Sequence, residues 1–271
     1  MNESDLANEF TRRQALLSLG SAITTFALLT PGVLAAAAAA NAPAPSSAPP
    51  PGPPMKIGII GTGRIGGSLA RHWAKAGHEL MISSRHPDTL KPLAAELGPK
   101  VHVGTPQEAA AFGEVILVAT PNNALPQIGK DFAKELAGKV ILDTSNALGR
   151  ADLNVGGVRK ALGVADAETL NTKRLVRAFN CLNSSAVTTD AFRPGSRRAV
   201  PIAGDDAAAL EVARRLVYDA GFDAYVHGSL ERSVDFELYE ILAQRDWNLG
   251  EFQRQAARLT AGAAAVAPVA R

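Results

Sequence analysis

The sequence predicts an α/β fold, a doubly wound parallel sheet followed by a smaller C-terminal α/β portion, on three observations. From Met55 onward, short apolar runs alternate with stretches of helical period, the pattern of a parallel sheet with helices on both faces. The runs at residues 57–60, 115–118 and 140–142 are almost continuously apolar, as strands buried on both faces must be. The first of them leads straight into Gly61-Thr62-Gly63-Arg64-Ile65-Gly66, a glycine loop that opens a helix.

The elements follow in order. Residues 56–60 form the first strand. The helix after the loop sets Ile65, Leu69, Trp73 and Ala76 on one face and Arg64, Ser68, Arg71 and Lys75 on the other, and Gly77 stops it. Residues 79–83 read as the second strand, 101–103 as the third and 114–119 as the fourth. Helical periods fill 87–97 and 105–112 between them. Residues 123–136 read as one helix with Leu125, Ile128, Phe132 and Leu136 on a stripe, and 139–143 return as a strand. The second half keeps the alternation, with strands at 175–179, 199–203 and 222–226 and a helix at 206–220. A long amphipathic stretch at 233–259 closes the domain. Its apolar positions Val234, Leu238, Ile241, Leu242, Leu249 and Phe252 serve as core or, on a second reading, as a homodimer surface.

Composition bounds the function. With 46% hydrophobic residues, 20% charged and a net charge of +2, the chain of 271 residues can bury a real core. Its Lys and Arg are scattered among nearly as many Asp and Glu, so no basic face for nucleic acid is expected. A single cysteine, Cys181, excludes an intrachain disulfide framework and a Cys-rich metal site, and the five histidines show no zinc-ligand spacing.

Residues 1–40 read as a twin-arginine signal peptide. Arg12-Arg13 precedes a mildly apolar run and an alanine tract, with Ala38 and Ala40 offering an Ala-x-Ala cleavage site. The run is long enough to span a bilayer, so the rival reading is a retained anchor, but Gly20, Ser21, Thr24, Thr25 and Pro31 dilute it. The expected location is therefore periplasmic or extracellular after twin-arginine export, with membrane contact only during export unless the signal stays uncleaved. Residues 41–54, nearly all Pro, Ala and Ser, form a linker that cannot pack a core. The main domain is expected to cover 55–180, the smaller portion 181–262, and a flexible tail 263–271.

Strand, Gly-x-Gly-x-x-Gly loop and helix together are the dinucleotide-binding signature of a Rossmann-type sheet. Gly61 permits the tight turn, Gly63 lets the backbone approach a pyrophosphate and Gly66 lets helix and strand pack closely, with helix N-terminal amides facing the phosphates. An NAD-selective site places a carboxylate at the end of the second strand; here stand Ser83-Ser84-Arg85-His86. Arg85 suits a 2′-phosphate, Thr62 and Ser84 offer hydroxyls, and NADP is the expected cofactor.

The glycine loop, Gly77-His78-Glu79 and Ser83-Ser84-Arg85 resemble the NADP oxidoreductases that depend on the deazaflavin coenzyme F420. Asp143-Thr144-Ser145-Asn146, Val176-Arg177-Ala178-Phe179-Asn180, Ala203-Gly204-Asp205-Asp206 and Gly228-Ser229-Leu230 continue the resemblance to about Leu242. The same motifs are similar to the cytosolic domain of six-transmembrane ferric reductases. Arg177 and Cys181 depart from the pattern, which more often has Lys and Thr. The resemblance implies hydride transfer between NADP(H) and a small-molecule acceptor, F420 or a flavin as co-substrate, and it allows a homodimer.

Such a transfer asks the protein to hold two rings face to face and exclude water, so no catalytic acid or base is expected. The groups expected to wall the pocket follow strand ends: Thr120 and Pro121 with Asn122, Asn146 and Ala147 with Ser145, and Asn180 to Leu182. Pro121 and Asn146 serve equally well as turn residues. Cys181 reads first as a small buried hydrophobe and His227, before Gly228 near the presumed rim, as structural. The rival functions are an imine or keto-acid reductase and a non-catalytic NADP(H)-binding redox sensor or partner protein.

Overall fold

The computed structural model describes residues 48–147, 154–155, 158–237 and 240–266. The signal reading of residues 1–40, most of the linker and Leu238 lie outside them. Residues 48–54 run without regular structure into β1 (Lys56–Ile60). The strands β2 (Glu79–Ser83), β3 (Val101–Gly104), β4 (Val115–Val118) and β5 (Val140–Asp143) follow. A separate antiparallel pair, β6 (Asn154–Val155) and β7 (Val158–Arg159), comes next, and then β8 (Leu175–Arg177), β9 (Ala199–Gly204) and β10 (Asp223–Gly228). The main sheet has eight strands in the order β10-β9-β8-β5-β4-β1-β2-β3. β1 pairs in parallel with β2 on one side and β4 on the other, so successive crossovers leave it in opposite senses and open a crevice there.

The helices are α1 (Arg64–Lys75), α2 (Lys91–Leu97), α3 (Pro106–Phe112), α4 (Leu125–Asp131), α5 (Ala133–Leu136), α6 (Leu162–Thr169), α7 (Ser184–Thr189), α8 (Ala207–Asp219) and α9 (Leu249–Val266). α1 buries Leu69, Ala70 and Trp73, and the Trp73 indole donates to the Leu216 carbonyl at 2.8 Å, tying α1 to α8. Truncating so large a buried side chain costs about 3–5 kcal/mol. Ala76, expected on the same stripe, is instead the exposed C-cap, because the helix ends there and Gly77 turns away at φ +92°. α3 begins with a reciprocal cap: Thr105 Oγ1 accepts from Glu108 N and Glu108 Oε2 from Thr105 N.

Two expectations are corrected and a third element is resolved in detail. The sheet is not parallel throughout: β9 runs antiparallel to β8, and β10 pairs in parallel with β9. Residues 178–198 form no crossover but return at the end where β8 finished, which leaves β9 only the reverse direction. Residues 181–262 thus supply two strands of the same sheet. The single helix expected over 123–136 is interrupted at Phe132 (φ −116°, ψ 19°), which separates α4 from α5. The amphipathic stretch 233–259 divides into separate elements. A 3₁₀ segment (Leu230–Phe236) comes first, residues 240–248 carry neither helix nor strand, and α9 starts where Asn248 and Glu251 cap each other through Oδ1 and Oε2. Leu242 and Phe252 are buried as core whereas Ile241 is 51% exposed. α9 runs on through Val266, past the start of the expected tail; residues 267–271 lie outside the described ones.

The linker's last residues are fastened to the domain. Met55 N donates to His78 Nδ1 at 3.0 Å, which leaves the ring proton on Nε2, facing Asp219 Oδ2 at 3.0 Å. Arg215 donates from Nε to the same Asp219 oxygen and from Nη2 to the Gly52 carbonyl at 2.5 Å. Burial, partly opposed by Asp219, holds His78 below the usual histidine range.

Candidate functional site

The crevice at the C-terminal ends of β1, β2 and β4 is a cleft of about 550 Å³. Gly61, Thr62 and Gly63 form its floor, Ser84 and Arg85 one rim, Thr120 and Pro121 the wall beyond β4, and α4 the side opposite Arg85. Each glycine of the loop has a different physical reason. Gly61 sits at φ +97°, and a Cβ there would lie 2.6 Å from the Ala119 carbonyl oxygen. A Cβ on Gly66 would lie 2.1 Å from the Gly61 carbonyl oxygen, so α1 can approach the loop only without a side chain there. Gly63 is exposed, and a Cβ on it would meet no protein atom within 4 Å, so the space above it is open to a ligand.

Thr62 is placed differently from the donor expected of it. Its Oγ1 donates to the Ser83 carbonyl at 3.0 Å and accepts from Ser83 N at 3.1 Å, so the hydroxyl fastens the loop to β2 and its proton is already used. Ser84 Oγ accepts from His86 N and keeps its own proton to give. Arg85 is exposed and holds no hydrogen bond or ion pair with the described residues. Arg64, exposed, and Ile65, packed on the core, lie at the start of α1 behind the cleft wall. Thr120 Oγ1 is buried without a partner among the described residues, an orphan donor beside the cleft.

Asn146 and Ala147 do not line the cleft. Asn146 donates from Nδ2 to the Asn180 carbonyl at 2.9 Å, and Ala147 packs against Leu162 and Ala165. Behind them lies a charge network whose residue types were visible in the sequence but whose grouping was not. Asp143 ends β5, Arg177 ends β8 and Asp166 projects from α6, all three without solvent exposure. Arg177 donates from Nη1 to Asp143 Oδ2 at 2.5 Å and from Nη2 to the Ser145 carbonyl at 2.7 Å, and Asp166 Oδ2 stands 3.7 Å from Nη1. Asn122 donates from Nδ2 to Asp166 and to Ser145 Oγ, linking the network to the segment that follows β4. Burial first, then the neighbouring Asp143 charge and the hydrogen bond between the two carboxyls, against the pull of Arg177, push Asp166 up to about 8.

Cys181 is buried, and burial pushes its thiol up to about 12, so it stays protonated and unreactive near neutral pH. His227 is not at the cleft rim. It sits near the end of the edge strand β10, separated from β1 by β9, β8, β5 and β4, and its Nε2 meets Asp235 Oδ2 at 2.7 Å.

Fold and cleft define the class: an α/β domain of the Rossmann type, with a crevice at the strand ends where such folds bind dinucleotides. More particularly, residues 56–147 match the family described as NADP oxidoreductase, coenzyme F420-dependent. Over 194 residues the chain is 27% identical to the metalloreductase STEAP3 of Rattus norvegicus, a match covering 72% of this chain and 38% of that relative. The chain thus spans well under half the length of that curated relative. A solved structure assigned as an F420-dependent NADP-reductase from Arthrobacter sp. FB24 is 25% identical, with a TM-score of 0.55, covering 80% of this chain and 100% of the other. A protein of no assigned function from Sinorhizobium meliloti shares the fold at a TM-score of 0.59 and 22% identity, over 72% of this chain and 96% of that one.

Proposed function

We propose that the protein transfers hydride between NADP(H) and a deazaflavin or flavin-like acceptor. The observation that carries the reading is the pairing, in one cleft, of an open glycine loop with an unengaged Arg85 where a nucleotide 2′-phosphate would lie. The cleft fits the cofactor: space is open above Gly63, Ser84 has a proton to donate, and the orphan Thr120 hydroxyl waits beyond β4. When bound, the nicotinamide supplies the hydride. The chain's own part is positioning. Gly61 and Gly63 bring backbone amides to the phosphates, Arg85 and Ser84 hold the 2′-phosphate, and Thr120 and Pro121 flank the path toward the acceptor.

The titratable side chains lining the cleft among the described residues are Arg85 and Asp131, both exposed. With Cys181 held protonated and His227 on the edge strand β10, separated from β1 by four strands, no side chain is assigned as general acid or base. The same proposal puts this activity outside the cytoplasm, a location that the twin arginines Arg12 and Arg13 support. The test is steady-state NADPH oxidation by the purified protein against deazaflavin, flavin, ferric chelate, keto acid and imine acceptors. Turnover with a deazaflavin or flavin is expected. Turnover with imines or keto acids alone replaces the proposal with the rival reductase, and tight NADPH binding without turnover replaces it with a redox sensor.

A further inference from the structure

The far wall of the cleft carries a polar pair that the hydride reading does not use. On α4, Gln127 and Asp131 stand one turn apart and both line the cleft; Gln127 donates from Nε2 to Asp131 Oδ1 at 2.7 Å. That bond fixes which atoms are left over. Asp131 Oδ2 and Gln127 Oε1 remain as acceptors, and the remaining Gln127 amide proton as a donor. Around them the lining is apolar: Pro106 from the start of α3, Ile128 from α4 and the ring of Phe132 at the break after α4. A slot with apolar walls and a carboxylate on its edge suits a flat ring that presents an N–H group outward.

The elements that line the cleft point to which ring this is. The glycine loop lies on the floor and Ser84 and Arg85 on the rim, so a 2′-phosphoribose held by Arg85 directs its base across the cleft toward α4. Resting on the NADP reading, we propose that Gln127 and Asp131 read the base of the cofactor, with the Asp131 carboxylate accepting from the exocyclic amino group of adenine. A carbonyl in place of that amino group would set oxygen against carboxylate, so the slot selects an aminopurine. Rossmann sites can hold the base by apolar contact alone; here the sequence adds an edge contact through the i, i+4 spacing of two polar residues on one helix face.

The experiment compares dissociation constants for NADPH and for its deamino analogue, in which hypoxanthine replaces adenine, by nucleotide fluorescence titration. The wild-type chain is expected to bind NADPH about tenfold or more tightly than the analogue, the effect of one hydrogen bond to a charged group. Asp131→Ala should bring that ratio close to one by weakening NADPH, and Asp131→Asn should fall between. Both positions are exposed, so thermal unfolding should leave the variants' stability as it is in wild type. Equal affinities in the wild type, or an unchanged ratio in Asp131→Ala, would overturn the inference while leaving the NADP reading intact. Failure of both nucleotides to bind would remove the NADP reading and this inference with it.

Discussion

Replacing Asp166 by Asn should flatten the alkaline side of the stability profile. Asp143 and Asp166 are both buried and hydrogen-bonded to each other, with Arg177 as the cation that binds Asp143 directly. Their mutual bond needs a proton, and Asp166 holds it up to about 8, against an ordinary value of 3.8. The folded chain therefore binds a proton that the unfolded chain has already lost, so stability falls as pH rises through that interval. One such proton is worth roughly 1.4 kcal/mol per pH unit. From about pH 6.5 to about pH 8, where the site becomes half ionised, the wild type should lose about 1.5–2 kcal/mol through this group. An Asn side chain can accept from Asn122 and donate to Asp143 permanently, so the variant should lose none of it. Urea denaturation of both proteins across this range gives the difference directly, with other titrating groups cancelling. Parallel profiles would refute the shared proton.

Arg85→Glu should reverse the preference from NADPH to NADH, because a carboxylate repels the 2′-phosphate and accepts from a free ribose hydroxyl; the ratio of the two dissociation constants measures it. Gly63→Val should abolish nucleotide binding without lowering the melting temperature, since its side chain enters open space, whereas Gly66→Ala should destabilise by about 1–3 kcal/mol through its clash with the Gly61 carbonyl. Cys181→Ser and His227→Gln should each keep turnover within about tenfold at saturating NADPH; a collapse with cofactor affinity intact would show a side chain doing chemistry. His78 sits below its ordinary value, so its contribution to stability is whole above about pH 6.5 and is lost as acid protonates the unfolded chain. Amide exchange at Met55 should accelerate at about pH 5.5 beyond its intrinsic rate, and an unchanged protection factor would exclude the link. Changing Arg12 and Arg13 to Lys should stop residues 1–54 from exporting a fused reporter, as read by reporter activity outside the cytoplasm.

The first half of the fold was legible because β1, β4 and β5 are apolar on both faces and the helices there are bounded by local signals. Gly77 and the Thr105-Pro106-Gln107-Glu108 cap are examples, and the strands of residues 56–60 and 79–83 occur as read. The reversal at β9 was not legible, since direction depends on where residues 178–198 travel and an apolar run reads the same both ways. The start of α9 was written in Asn248 and Glu251, a capping spacing that the hydrophobic stripe overshadowed. At the site, the glycine loop, Ser84 and Arg85 could be placed from local context alone. Asp143, Asp166 and Arg177 could not be joined, because each stands on a different element and only the sheet order brings them together.

The fastening of the linker has a mechanical consequence. β1 lies in the interior of the eight-stranded sheet, flanked by β2 and β4, and forms the floor strand of the cleft. Tension applied along residues 48–54 first reaches the Gly52 carbonyl and the Met55 amide, and through Arg215, Asp219 and His78 it is shared with α8 and the start of β2. Those contacts must part before the load falls on β1 itself. A pull on the N-terminal end is thus taken up by the body of the domain, and the glycine loop at the far end of β1 keeps its shape while the tether is under strain.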